Sequence, residues 1–156
     1  MLADFIYNPL FLIFLSYGLG VLFTELIKLT GLYYKFDNQN YLDDLWTNRI
    51  GVLHLGWLIR HSFLGMFNQK LKIRGKVSIN DLNQLRSDMT YAEVNHLTAF
   101  VLLFVLNIIM LFLEVTWWYI LLFFVINLIF NLYLVLLQQY NKRRIDLLLN
   151  RIEREK

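Results

Sequence analysis

The sequence predicts an all-α integral membrane protein: a bundle of three to four transmembrane helices ending in an interfacial, amphipathic C-terminal helix. Three observations carry this. The 156 residues are 58% hydrophobic and only 17% charged, with a mean hydropathy of +0.48, whereas a soluble domain charges about a quarter of its residues. The apolar residues are gathered into runs near the ~20 residues that cross a bilayer core. Positive charge collects between and after those runs, at Lys70, Lys72, Arg74, Lys76 and Arg86, and again at Lys142, Arg143, Arg144, Arg151, Arg154 and Lys156. Basic residues beside membrane spans face the cytoplasm, so both segments are expected there, in the cell (inner) membrane, and neither is expected to bind nucleic acid. The whole chain, 1–156, forms one membrane domain. Cysteine is absent, which excludes disulfides, thiol nucleophiles and cysteine-held metals.

The first span is expected over residues 9–29. Pro9 suits a first helical turn, where a missing N–H costs little, and Lys28 can snorkel to the headgroups at the far end. A basic start and a small-residue cleavage site are lacking, so the segment is expected to be retained rather than removed as a signal peptide. The connection that follows carries Tyr33, Tyr34, Tyr41 and Trp46, residue types that settle at membrane interfaces. Residues 51–67 are apolar but include His54, Arg60 and His61. This segment either crosses with its polar groups turned inward or lies in the interface, since an Arg facing lipid at mid-span costs about 3 kcal/mol. The cytoplasmic loop 69–90 holds a short helix over 79–86, capped by Ser78. The next span, 91–115, opens at Thr90 with Glu93 three residues on, the spacing of a capping box. "EVTWW" turns the chain at the opposite interface, and the last span runs over 117–137. The basic tail 138–156 continues as a helix along the membrane surface, with Leu147, Leu148 and Ile152 on its apolar side. Four spans put the N-terminus in the cytoplasm and three put it outside; four are expected.

Polar residues within these spans are the candidate functional groups. Glu93 and His96, at i and i+3, lie on adjacent parts of one helical face. The carboxylate is fully explained as a cap and the imidazole as an interfacial ring. The same spacing also permits a dyad, in which the imidazole takes a proton from a hydroxyl and the carboxylate orients the ring. Asn127 and Asn131 share a face of the last span and serve either as helix–helix hydrogen bonds or as a polar stripe that holds a substrate. One Glu-x-x-His without a second copy, and histidines two turns apart, make no metal site. No phosphate loop or serine elbow is present, and no cofactor is implied.

"AEVNH" followed by "FNLYLVLLQQYNKRRIDLLL" resembles the small membrane acyltransferases typified by glycosyl-4,4'-diaponeurosporenoate acyltransferase, of staphyloxanthin-type carotenoid biosynthesis. Ala92, Glu93 and His96 match the first element. Asn131, Gln138, Tyr140, Asn141, Lys142 and Arg144 match the second, with Gln139 where Arg is usual and Leu132 where a proline is expected. The resemblance implies transfer of a fatty acyl chain to a hydroxyl of a glycolipid or glycosylated carotenoid-like lipid. Under it Glu93 and His96 are catalytic, and Arg60, His61, Asn127, Asn131, Gln138, Tyr140, Asn141 and Arg144 bind substrate. Its partners are membrane lipids, as acyl donor and glycolipid acceptor. The alternative is a non-enzymatic membrane subunit that packs against a protein partner, a larger transport or export complex.

Overall fold

The computed structural model describes residues 8–39, 51, 54, 57 and 78–155. Every described element is helical: α1 (Pro9–Lys28), α2 (Leu32–Asn38), α3 (Ile79–Phe112), α4 (Trp117–Asn127), one turn of π-helix (Leu128–Leu132) and α5 (Tyr133–Arg154). Since α4, the π-turn and α5 follow without a break, three helical rods among the described residues are long and apolar enough to cross a membrane: Phe11–Lys28, Ile79–Phe112 and Trp117–Arg154. The protein is thus a multi-pass membrane protein. The expected span over 51–67 lies outside the described residues, apart from Gly51, His54 and Trp57.

Helix α1 begins with the Asn8 side chain accepting the Phe11 N–H at 3.2 Å, next to Pro9, whose own N–H is not needed there. Leu12, Ser16, Gly20 and Thr24 recur every four residues and form its buried face. Three of the four are small, which lets two backbones approach. The hydroxyls turn back into the helix, Ser16 donating to the Ile13 carbonyl and Thr24 to the Gly20 carbonyl, both at 2.8 Å. Phe14, Leu22 and Leu26 on the opposite face are exposed, as a lipid-facing surface requires.

Helix α3 differs from expectation. Ser78 is its N-cap, and Asp81 completes a capping box with it, but the helix does not stop near Arg86 to restart at Thr90. It runs unbroken to Phe112. Nothing between Arg86 and Thr90 breaks a helix, there being no Gly or Pro, and Glu93 is engaged elsewhere. At 1.5 Å per residue α3 is about 50 Å long, well beyond a hydrocarbon core of about 30 Å. Its first turns therefore project from the membrane, where Leu82, Leu85 and Met89 pack on Ile145, Leu149 and Ile152 of α5. Ile152, expected on a membrane-facing side, is thus held against protein, while Leu147 and Leu148 are exposed.

The chain reverses at Leu113–Thr116, where Glu114 takes a positive φ of 54°. Trp117 and Trp118 stack there, ring centroids 3.7 Å apart, at the end where aromatic anchors belong. The hairpin of α3 with α4 and α5 is closed by polar contacts along its length. Asn107 donates to the Ile120 carbonyl at 3.1 Å, Asn127 to the Phe100 carbonyl at 3.1 Å, and His96 faces the Asn131 side chain. Each pair straddles the same point, midway between Leu113 and Glu114, as facing residues of an antiparallel hairpin must. Beyond the π-turn the register changes. Gln139 meets Glu93 and Asp146 meets Arg86, pairs centred on Thr116, so α5 presents residues five positions further along than a straight continuation would. The extra residue of a π-turn re-aims the following helix by about 100°, which supplies most of that rotation.

Candidate functional site

Twenty residues back from Leu113 along α3, about one bilayer core, lies Glu93. A bilayer core counted back from Leu113 would end there, with His96 one turn inside it. The Glu93 carboxylate is almost fully buried and bound on both oxygens. Gln139 donates to Oε1, and Lys142 Nζ donates to Oε2 at 2.9 Å. Lys142 is itself completely buried and gives a second hydrogen bond, of 2.6 Å, to the Phe36 carbonyl of α2. A carboxylate and an ammonium out of water are tolerable only as such a hydrogen-bonded pair, and this pair ties α2, α3 and α5 together.

Just outside this pair lies a second network. Arg86 donates through Nε to Asp146 at 2.5 Å, through one terminal nitrogen to the Asp37 carboxylate at 2.8 Å, and through the other to the Asp37 carbonyl at 2.5 Å. The planar guanidinium holds three acceptors at once, which an ammonium does not do in this fixed fork. Thr90, expected as a cap, instead donates to the same Asp37 carboxylate at 2.9 Å. Tyr33 beside this network has its phenol pushed up to about 12, chiefly by burial and then by the Asp37 charge, so it stays a neutral hydroxyl.

His96 is separate from Glu93. Its ring lies beside the Asn131 side chain, and the ring of Tyr17 on α1 lies 6.4 Å away, tilted by 54°. Asn131 in turn donates its amide to Asn127 Oδ1 at 2.8 Å. The sequence-predicted residues thus divide into groups. His96, Asn131 and Asn127 come together as one chain. Glu93 joins Gln139 and Lys142 and does not orient the imidazole, a correction with a plain cause: both carboxylate oxygens are engaged by α5. Gln138 and Asn141, on the adjoining face of α5, each bury a polar atom with no partner, Gln138 Oε1 and Asn141 Nδ2. Arg144 is exposed and lies over the Tyr140 ring at 5.7 Å, away from His96. Arg60 and His61 lie outside the described residues. Among the described residues no group of acidic, His or Cys side chains is arranged to hold a metal ion.

Sequence reasoning missed Lys142 and Gln139 as partners of Glu93, and Arg86, Asp37 and Asp146 altogether. Lys142 stands inside a run of basic residues, where it looks like one more solvated charge. The signal present was its three-residue spacing from Gln139, which puts both on one face. Asn95 was missed too. Its Oδ1 is buried without a partner and lies where a Cβ on Gly20 would come within 2.2 Å of it, so α1 crosses α3 here at backbone distance.

The profile of the glycosyl-4,4'-diaponeurosporenoate acyltransferase family matches residues 30–151. The chain belongs to that family. The match takes in α2, α3, α4, the π-turn and nearly all of α5, hence every polar contact just described that involves α3 and α5. No curated protein and no solved structure matches the chain.

Proposed function

We propose that the protein is a membrane-embedded acyltransferase of carotenoid biosynthesis, which moves a fatty acyl chain onto a hydroxyl of a glycosylated, carotenoid-like lipid or related glycolipid. The family match over residues 30–151 carries this reading. It favours the enzyme over a packing subunit, for which no observation speaks.

His96 is the general base. It takes the proton of the acceptor hydroxyl as that oxygen attacks the acyl carbonyl carbon of an ester or thioester donor. The tetrahedral oxyanion then collapses, the bond to the leaving oxygen or sulfur breaks, and the leaving group takes the proton back from the imidazole. No covalent enzyme intermediate is required, in keeping with a chain that has no cysteine. A base one turn inside the boundary meets a sugar hydroxyl at headgroup depth while both lipid tails stay in the hydrocarbon. Glu93 acts at a distance: paired with Lys142 it holds α5 on α3, and thereby Asn131 on His96. Asn141, with a buried amide donor to spare, and Gln138 are suited to the acceptor's polar group or the oxyanion. The stacked Tyr140 and Arg144, together with Arg60 and His61, belong to headgroup binding at the rim. The Ser78 end of the bundle and the basic tail face the cytoplasm of the cell membrane.

Mass spectrometry of lipid extracts tests this in host cells carrying the wild type, a deletion or His96→Gln. A lipid one acyl chain heavier is expected in the wild type alone. Its persistence at wild-type level in the deletion overturns the acyltransferase reading, and its persistence in His96→Gln overturns the role of the base.

A further inference from the structure

We propose that the outward face of the α5 end, built from Leu147, Leu148, Arg151 and Arg154, is a docking surface for an acidic carrier protein that delivers the acyl chain as a thioester. One side of α5 turns to α3, where Ile145, Leu149 and Ile152 join a core with Leu82, Leu85 and Met89. At about 100° per residue, Arg144, Leu147, Arg151 and Arg154 fall within a sector of about 80° on the opposite side. All four are exposed, Leu147 at 58%, and Leu148 beside them is 39% exposed. The nearby acids do not neutralise the stripe. Asp146 is bound to Arg86, Glu153 lies about 200° round the helix from Arg151, and Glu155 borders the stripe only past the end of the helix. Among the described residues neither Arg151 nor Arg154 has an ion-pair partner.

Lipid headgroups do not reach this face. Gln139 meets Glu93 and Asp146 meets Arg86, so Arg144 stands level with Asp88, and Arg151 with Asp81. Counted from Glu93, where a bilayer core measured from Leu113 would end, Arg144 is about 8 Å outside and Arg151 about 18 Å. The headgroup layer adds about 5–8 Å on each side of the core, and a usual tilt of about 20° alters these heights little. Arg144 therefore lies at the headgroups, whereas Arg151 and Arg154 stand in water beside the polar first turns of α3. Exposed leucines among unpaired arginines, clear of lipid, fit an acidic protein surface with an apolar centre.

The stripe begins at the mouth of the site. His96 sits about 12 Å deeper than Arg144, so a carrier seated on Leu147, Arg151 and Arg154 can pass a flexible thioester arm inward while its acidic body stays in water. The acceptor oxygen bonds to the acyl carbon and the C–S bond breaks. The sulfur leaves as the carrier's free thiol, with the proton that His96 took from the hydroxyl. This inference rests on the proposed acyl transfer and names its donor, but docking is measurable without turnover.

The test is binding of fluorescently labelled palmitoyl acyl carrier protein to the full chain in lipid nanodiscs. A transfer assay accompanies it, with the lipid extract of deletion cells supplying the acceptor. The wild type is expected to bind the carrier at low salt and to release it as salt rises. Arg151→Glu with Arg154→Glu is expected to weaken binding about tenfold or more, and Arg151→Gln with Arg154→Gln to fall between. Lys35→Glu, which reverses an exposed charge on α2, is expected to leave binding unchanged. In the transfer assay the double Glu variant is expected to raise KM for the palmitoyl carrier, with kcat little changed. No binding by the wild type, or binding undiminished in the double Glu variant, overturns the proposal. So does transfer from a palmitoyl phospholipid of the bilayer that falls in that variant while the carrier does not bind, which gives the face to lipid headgroups. Arginine-dependent carrier binding without any acyl transfer would refute the acyltransferase reading and leave the docking surface standing.

Discussion

Replacing Lys142 with Met keeps the length and apolar stem of the side chain and removes the ammonium. It leaves the Glu93 carboxylate, 1% exposed, with Gln139 as its remaining donor and the Phe36 carbonyl without the hydrogen bond that Lys142 supplies. Breaking a buried pair from one side costs about 3–5 kcal/mol, and the retained Gln139 bond argues for the lower end. For a chain of this size about 3 kcal/mol lowers Tm by roughly 6–12 °C. The decisive assay is a double-mutant cycle in detergent micelles with Lys142→Met, Glu93→Gln and the pair. The double variant has no buried charge and is expected to recover more than half of the single-variant loss, giving a coupling of about 2 kcal/mol or more. A Tm for Lys142→Met within 2 °C of wild type, or strictly additive losses, would refute the assignment of this pair as the tie between α2, α3 and α5.

Two further outcomes follow from the packing. Gly20→Ala is expected to destabilise by about 2 kcal/mol or more, because the added methyl would meet Asn95 Oδ1 at 2.2 Å and the Asn95 carbonyl at 2.7 Å. Asn95→Ala should not rescue it, since the carbonyl stays, and Gly18→Ala, with nothing within 4 Å, should leave Tm unchanged. Arg86→Lys cannot serve the Asp37 carboxylate, the Asp37 carbonyl and Asp146 together; α2 is expected to loosen, seen as faster proteolysis after Lys35, while Arg86→Lys retaining wild-type protection would count against the fork.

The hydrophobic runs were enough to locate the apolar cores of the three rods that can cross a membrane, though not the rods' ends, since crossing hydrocarbon demands about twenty apolar residues whatever the neighbours are. The Ser78 cap was equally legible, because a cap is a local contact between residues three apart. Thr90 and Glu93 carry the same spacing, yet no cap forms there. That outcome depends on Lys142 and Gln139, 49 and 46 residues away in sequence, which engage the carboxylate once α5 folds back. The Asn127 and Asn131 stripe was visible as a face, but its partner was not.

By itself, then, the sequence determined that this is a helical membrane protein, where its apolar runs lie, and which motifs place it beside a family of acyltransferases. Only the tertiary structure decided the pairings: Glu93 with Lys142, His96 with Asn131, Arg86 with two aspartates. The reason is physical. Burial in hydrocarbon is a property of a segment's own composition, whereas the partner of a buried polar group depends on hairpin register, and one turn of π-helix resets that register without a Gly or Pro to announce it.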